Sequence, residues 1–238
     1  MTRSSRTGRP AGWAPSSARR RARRKRTSRR LFSFDRKLVS GLLAGADEAG
    51  RGSLAGPLVA AAVLFDYASL GAAEQRQLRG LDDSKQHSRE SREALYPVVL
   101  RVARRVCVVS RCARGIDGRG LHKTNLAALR EALQRVCDGI DGEVLCVVDG
   151  FGVPTFERRQ QAIVDGDATS AAIAAASIVA KVTRDRYMHH ADSLYPEWSF
   201  KENVGYSTPE HRDAIRRHGV SPLHRMSFQS LAYEQLAF

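Results

Sequence analysis

The chain has 238 residues, 42% of them hydrophobic, and sets 39 Lys and Arg against 25 Asp and Glu, a formal net charge of +14 at pH 7. This length and apolar content suit one or two domains with a sizeable core and exclude a wholly disordered chain. No uninterrupted apolar run is long enough to span a membrane, and the first thirty residues lack the apolar centre of a secretory signal.

The charge is uneven. Residues 1–30 hold 12 of the Lys and Arg and no Asp or Glu, so the rest of the chain is nearly neutral. This segment is rich in Arg, Ser, Pro and Gly and poor in bulky apolar side chains. It cannot bury enough surface to offset its chain entropy, so residues 1–36 are expected to form a disordered basic tail. Three roles stay open for it: a polyanion-binding arm, a targeting peptide, or a non-functional extension.

From residue 37 the pattern alternates between strand and helix. LVSGLLAGADEAG (38–50) reads as a buried strand ending at a turn, and PLVAAAVLFD (57–66) as a second strand, paired with it as a hairpin. A helix is predicted over 89–105, with Ser88 as its N-cap. Val106 to Ser110 reads as a strand. Asn125 to Val136 reads as a helix, because Leu126, Leu129, Leu133 and Val136 recur at helical spacing. VLCVVD (144–149) is the clearest buried strand, and a short strand is expected over 162–164. An Ala-rich helix follows over 170–190. A last helix is predicted from the cap Thr208 and first-turn Pro209 to its stop at Gly219. Strands with intervening helices indicate an α/β architecture, and the initial hairpin indicates a mixed sheet.

Four cysteines, Cys107, Cys112, Cys137 and Cys146, lack C-x-x-C spacing. They read as ordinary buried thiols of a reducing, cytoplasmic compartment. His122, His189, His190, His211, His218 and His224 show no metal-binding spacing and read as surface or capping residues.

The acids carry more information. Asp47 and Glu48 follow an apolar strand, Asp149 follows VLCVV, and Asp167 lies between a short strand and the long helix. Carboxylates at the ends of core elements lose hydration and need a cation, a donor or a raised pKa. With no His or Cys beside them they favour a hard cation, Mg²⁺ or Mn²⁺, and two such ions can promote phosphodiester hydrolysis. One geometric objection stands. Neighbours on a strand point to opposite faces, so Asp47 and Glu48 share a site only if the strand bends or ends there. Gly50 and Gly52 make such a turn feasible, and Arg51 between them suits a phosphate or sugar.

Taken together, these motifs resemble type 2 ribonuclease H, the bacterial ribonuclease HII family. GADEAGRGSLAGPLVAAAVLFD resembles its opening motif. LDDSK (81–85), VVDG (147–150), GDATSAAIAAASIVAKVTRDRYM (166–188), GYST (205–208) and HRMSF (224–228) follow in the family's order. The resemblance implies a ribonuclease-H-like mixed sheet flanked by helices over residues 37–190, with a helical extension over 191–238 that completes a substrate groove. It implies hydrolysis of the RNA strand of RNA–DNA hybrids and nicking of duplex DNA 5′ to embedded ribonucleotides, leaving 3′-hydroxyl and 5′-phosphate ends. It implies a monomer that needs Mg²⁺ or Mn²⁺. Residue by residue, Asp47, Glu48, Asp149 and Asp167 match the metal-binding acids. Gly50, Arg51 and Gly52 match the turn that senses the ribose 2′-hydroxyl, the group that separates RNA from DNA. Tyr206 matches the aromatic that packs on the following deoxynucleotide, and Lys85 and Lys181 are candidate phosphate contacts. Where the family often has Lys, this chain has Asp165 and Val204, which removes positive charge near the substrate. The rival reading, a non-catalytic nucleic-acid binder, would have no need of clustered negative charge facing a polyanion.

Overall fold

The computed structural model describes residues 17–81, 88–228 and 233, so Lys85 and the first 16 residues of the tail lie outside the described residues. Five strands form one sheet: β1 (Leu42–Ala49), β2 (Leu58–Asp66), β3 (Arg105–Arg111), β4 (Val144–Asp149) and β5 (Gln160–Ile163). Their order is β3-β2-β1-β4-β5. β1, β2 and β3 are antiparallel neighbours, whereas β4 pairs parallel to β1 and β5 parallel to β4. The sheet is mixed, as the initial hairpin implied.

The central strands are buried on both faces, which explains their nearly continuous apolar sequence. Helix α5 (Leu121–Cys137) covers the face that presents Ala44, Ala46, Cys146 and Val148, and packs Leu129, Leu133 and Val136 on it. Helix α6 (Ala171–Leu194) covers the face of Leu43, Val63 and Val147. The alanines of α6 let its backbone press against β1. A Cβ at Gly45 would lie 2.2 Å from the Ala172 carbonyl carbon, so only glycine fits there. Helix α3 (Arg89–Val102) starts at Ser88, whose side chain accepts the Ser91 amide. Helix α8 (Pro209–His218) starts at Thr208 and stops at Gly219. The short helices α2 (Ala72–Gln77), α4 (Ala113–Arg119) and α7 (Phe200–Asn203) were not foreseen. Runs of four to seven residues carry too little periodicity to be read.

The expected disordered tail does not reach residue 36. Helix α1 runs from Ser17 to Leu38, and Leu31 and Phe32 are buried against the sheet. The Phe32 ring lies 6.4 Å from both Phe65 and Tyr67. Averaging composition over the whole segment hid this apolar anchor. The domain boundary expected after residue 190 also falls inside α6, which carries Met188 and Ala191 into a third core with Trp198, Phe200 and Ile215. Of the cysteines, Cys137 and Cys146 are buried, whereas Cys107 is half-buried and Cys112 exposed.

Asp35 of α1 is buried beneath the same anchor. Its Oδ2 accepts the Tyr67 hydroxyl at 2.5 Å and the Ala172 amide at 3.0 Å. Burial pushes the Asp35 carboxyl up to about 6, against the lowering effect of these donors. Between its ordinary value near 4 and about 6 the folded state therefore binds more protons than the unfolded chain, so this group's contribution to stability falls as pH rises. Asp35→Asn, which mimics the protonated acid, is expected to gain on the wild type by up to about 3 kcal/mol between pH 4 and pH 7.5. Urea unfolding of both proteins at the two pH values measures this. A pH-independent difference would show that the carboxyl is ionised throughout.

Candidate active site

In the parallel register Ala46 faces Val148, so Asp47 and Asp149 come next along neighbouring strands at one edge of the sheet. β1 continues through Glu48 to Ala49 and does not end before the acids, which answers the geometric objection in an unexpected way. Alternation sends Asp47 to the α6 face, where the Ser177 side chain bonds it, and Glu48 to the α5 face, where Asn125 bonds it. Being at the strand's end, both carboxylates still line a single cleft of about 490 Å³. The same cleft is lined by Gly50, Arg51, Gly52, Asp149, Asp167, Lys181 and Tyr206. It thus gathers every predicted site residue except Lys85. Arg92 and Ser177, which sequence reasoning missed, line it too.

Main-chain amides orient the acids. Asp149 Oδ1 accepts Gly166 N–H at 2.7 Å, which ties β4 to the 3₁₀ turn Gly166–Ala168 that carries Asp167. Asp47 Oδ1 accepts Glu48 N–H at 2.7 Å. Asp165 begins that turn in the left-handed region, at φ 50°, and is exposed.

The charges are poorly balanced. Asp47 is 6% exposed. Burial, then the negative charges of Glu48 and Asp149, push its carboxyl up to about 8. Burial also raises Glu48, although Arg51, 3.8 Å away, partly offsets this. Among the described residues no three His, Cys, Asp or Glu form a finished ligand set. The fit to a hard divalent cation rests instead on donor chemistry, four carboxylates with no sulfur or imidazole, and on negative charge that burial makes costly.

Beside the acids, the Gly50–Gly52 turn rests on two fully buried arginines that the sequence did not flag. Gly50 has φ +86°, and a Cβ there would lie 2.0 Å from Arg184 Nε. Arg184 donates to the carbonyls of Pro57 (2.9 Å), Val204 (2.8 Å) and Ala55 (3.0 Å) and to Ser53 Oγ (2.8 Å). Arg225 donates to the carbonyls of Gly56 (3.0 and 2.8 Å) and Arg51 (3.1 Å). The Gly205 carbonyl accepts the amides of Leu54 and Ala55, which joins the extension to the turn. Among the described residues no acceptor takes the amides of Arg51 or Gly52. The Tyr206 ring lies over Lys181 Nζ (5.2 Å) and the Arg184 guanidinium (5.3 Å). Lys181 also pairs with Asp185 at 2.8 Å. Val204 holds φ 41°, strained for a β-branched residue, and the bond from Arg184 to its carbonyl helps hold it there.

Two histidines correct the surface reading. His211 and His224 are buried, Nε2 to Nε2 at 3.1 Å. His224 Nδ1 accepts the Ser221 amide, so its Nε2 carries the proton and donates to His211 Nε2; His211 Nδ1–H then donates to the Tyr206 carbonyl. This chain of neutral imidazoles ends on the backbone of Tyr206. Burial, followed by the effect of His211, lowers His224 to about 4, in keeping with neutrality. The sequence signal available was the position of His224 inside HRMSF.

Comparison with known proteins finds chains of similar sequence and similar fold. A family model described as Ribonuclease HII matches residues 44–231. A curated Ribonuclease HII of Rhizobium johnstonii is 47% identical over 190 residues, which covers 79% of this chain and 78% of that protein. The crystal structure of the ribonuclease H2 from Pyrococcus horikoshii OT3 superposes with a TM-score of 0.66 at 27% identity, over 79% of this chain and 94% of that one. Bst-RNase HIII in complex with Mn²⁺, at 19% identity, shares the fold with a TM-score of 0.67 over 85% of this chain and 71% of its own.

Proposed function

The chain belongs to the ribonuclease HII family and is an endonuclease that cleaves RNA in RNA–DNA hybrids and excises embedded ribonucleotides; we propose that the cleft below the β1 and β4 termini is where it does so. The observation that supports this reading is the meeting, in one cleft, of four carboxylates with the Gly50–Gly52 turn and Tyr206.

Asp47, Glu48, Asp149 and Asp167 would hold Mg²⁺ or Mn²⁺, as a pair of ions. Bound there, the metal supplies an activated water and charge stabilisation for the departing 3′-oxygen. Arg51 and the amides of the turn bind the scissile phosphate and the ribose 2′-hydroxyl. Tyr206, fixed from behind by Arg184 and the His211–His224 pair, packs on the sugar of the following deoxynucleotide. Gly205 and Arg184 keep these two recognition elements in register, so a ribose and the junction after it are read together. In-line attack of water then leaves a 3′-hydroxyl and a 5′-phosphate.

The test is a 5′-labelled DNA duplex carrying one ribonucleotide, incubated with Mg²⁺, Mn²⁺ or chelator beside an all-DNA control. Metal-dependent nicking on the 5′ side of the ribonucleotide, absent from the control, is expected. Binding without cleavage in every metal would favour a non-catalytic binder.

A further inference from the structure

Phe151 lies two residues beyond Asp149 and is 58% exposed, whereas every other described phenylalanine is buried or half-buried. A phenylalanine ring left in water forgoes about 1.5–3 kcal/mol of burial. Its neighbours are polar and cationic. The Arg51 guanidinium lies 5.8 Å from the ring centroid, and the His122 ring meets it edge-on at 6.2 Å and 87°. Arg51 lines the catalytic cleft, so the aromatic surface adjoins the site without lying inside it.

The two faces of the sheet give this position a direction. Ser177, Lys181 and Tyr206 border the cleft from the α6 side. His122 and Asn125 belong to α5, on the opposite side. Arg51 interacts with Glu48 and Phe151, so the turn stands between an aromatic on each side of the sheet edge. A strand crossing that edge meets Tyr206 on one side of the turn and Phe151 on the other. Aromatic rings beside cations are the usual platform for nucleobases and sugars.

We propose that Phe151, backed by Arg51 and His122, forms the subsite for the nucleotide immediately 5′ to the scissile phosphate, and packs its ring against the exposed edge of that nucleotide's base. This rests on the reading above, in which Arg51 takes the ribose and Tyr206 the nucleotide after it.

The experiment compares the full chain with Phe151→Ala and Phe151→Trp on two duplexes that each carry one ribonucleotide. One duplex is intact; the other has a tetrahydrofuran abasic residue just 5′ to the ribonucleotide. On the intact duplex Phe151→Ala is expected to raise KM about tenfold, with kcat within about twofold, and Phe151→Trp to restore KM. The abasic duplex should raise the wild-type KM similarly, and Phe151→Ala should then add nothing. An unchanged KM, or an equal rise on both duplexes, would overturn the subsite. Failure of the wild type to nick either duplex would instead overturn the functional reading, and the subsite with it.

Discussion

Asp149→Asn is expected to lower kcat/KM on a ribonucleotide-containing duplex by 10²-fold or more while leaving the fold intact. Asp149 Oδ1 accepts the Gly166 amide, and the carbonyl oxygen of asparagine can keep that bond. The turn bearing Asp167 should therefore stay in place. What is lost is one negative charge from a donor set whose acids already raise one another: Asp149 contributes to the raised pKa of both Asp47 and Glu48. Without a cation that loss relieves repulsion, so the melting temperature in chelator should hold or rise. If Asp149 holds the cation as proposed, the substitution would also remove a ligand, and with it the affinity and placement of the metal. Activity and metal-free stability thus move in different directions, which a merely structural role would not produce. The two measurements are steady-state nicking and thermal unfolding in chelator. Retained activity would remove Asp149 from the site.

Arg184→Met should produce the largest loss of stability, on the order of 3–5 kcal/mol. The guanidinium is fully buried and serves three carbonyls and one hydroxyl, drawn from the segment after the Gly50–Gly52 turn and from Val204 of the extension. Methionine fills much of the volume but leaves these acceptors without a donor in a place water reaches poorly. Burial lowers the Arg184 pKa, yet the network of carbonyl dipoles repays the guanidinium's lost hydration. At about 2–4 °C per kcal/mol for a chain of this size, the melting temperature should drop by roughly 10 °C. Arg184→Lys keeps the charge but not the planar fork, and should lie between the two. Urea midpoints for the three proteins test this; a wild-type midpoint for Arg184→Met would show that the turn stands without it.

The strands and long helices were legible because burial imposes a period. Two-sided burial made β2 and β4 read as apolar runs, and one-sided burial gave α5 its leucines at helical spacing. Caps were legible because they depend on local chemistry, as at Ser88 and Thr208. The foot of α1 was not legible, since Leu31 and Phe32 are a small apolar signal inside an arginine-rich stretch. Arg184 and Arg225 were not legible for a different reason. On a helix or in a loop an arginine reads as solvated, and only the packing of the extension across α6 and the turn removes it from water.

By itself the sequence determined the kind of chemistry available: four acids at the ends of core elements, no soft ligands near them, and a glycine-flanked arginine beside the first pair. Those are properties of residue type and of local order along the chain. Only the tertiary structure decided that Asp47 and Glu48 line one cleft from opposite faces of β1, that two buried arginines and two neutral histidines hold the Gly50–Gly52 turn and Tyr206, and that Phe151 stands exposed beside Arg51. Each of these depends on which strand lies next to which and on what water can reach. Strand pairing and burial join residues more than a hundred positions apart, and no local pattern records them.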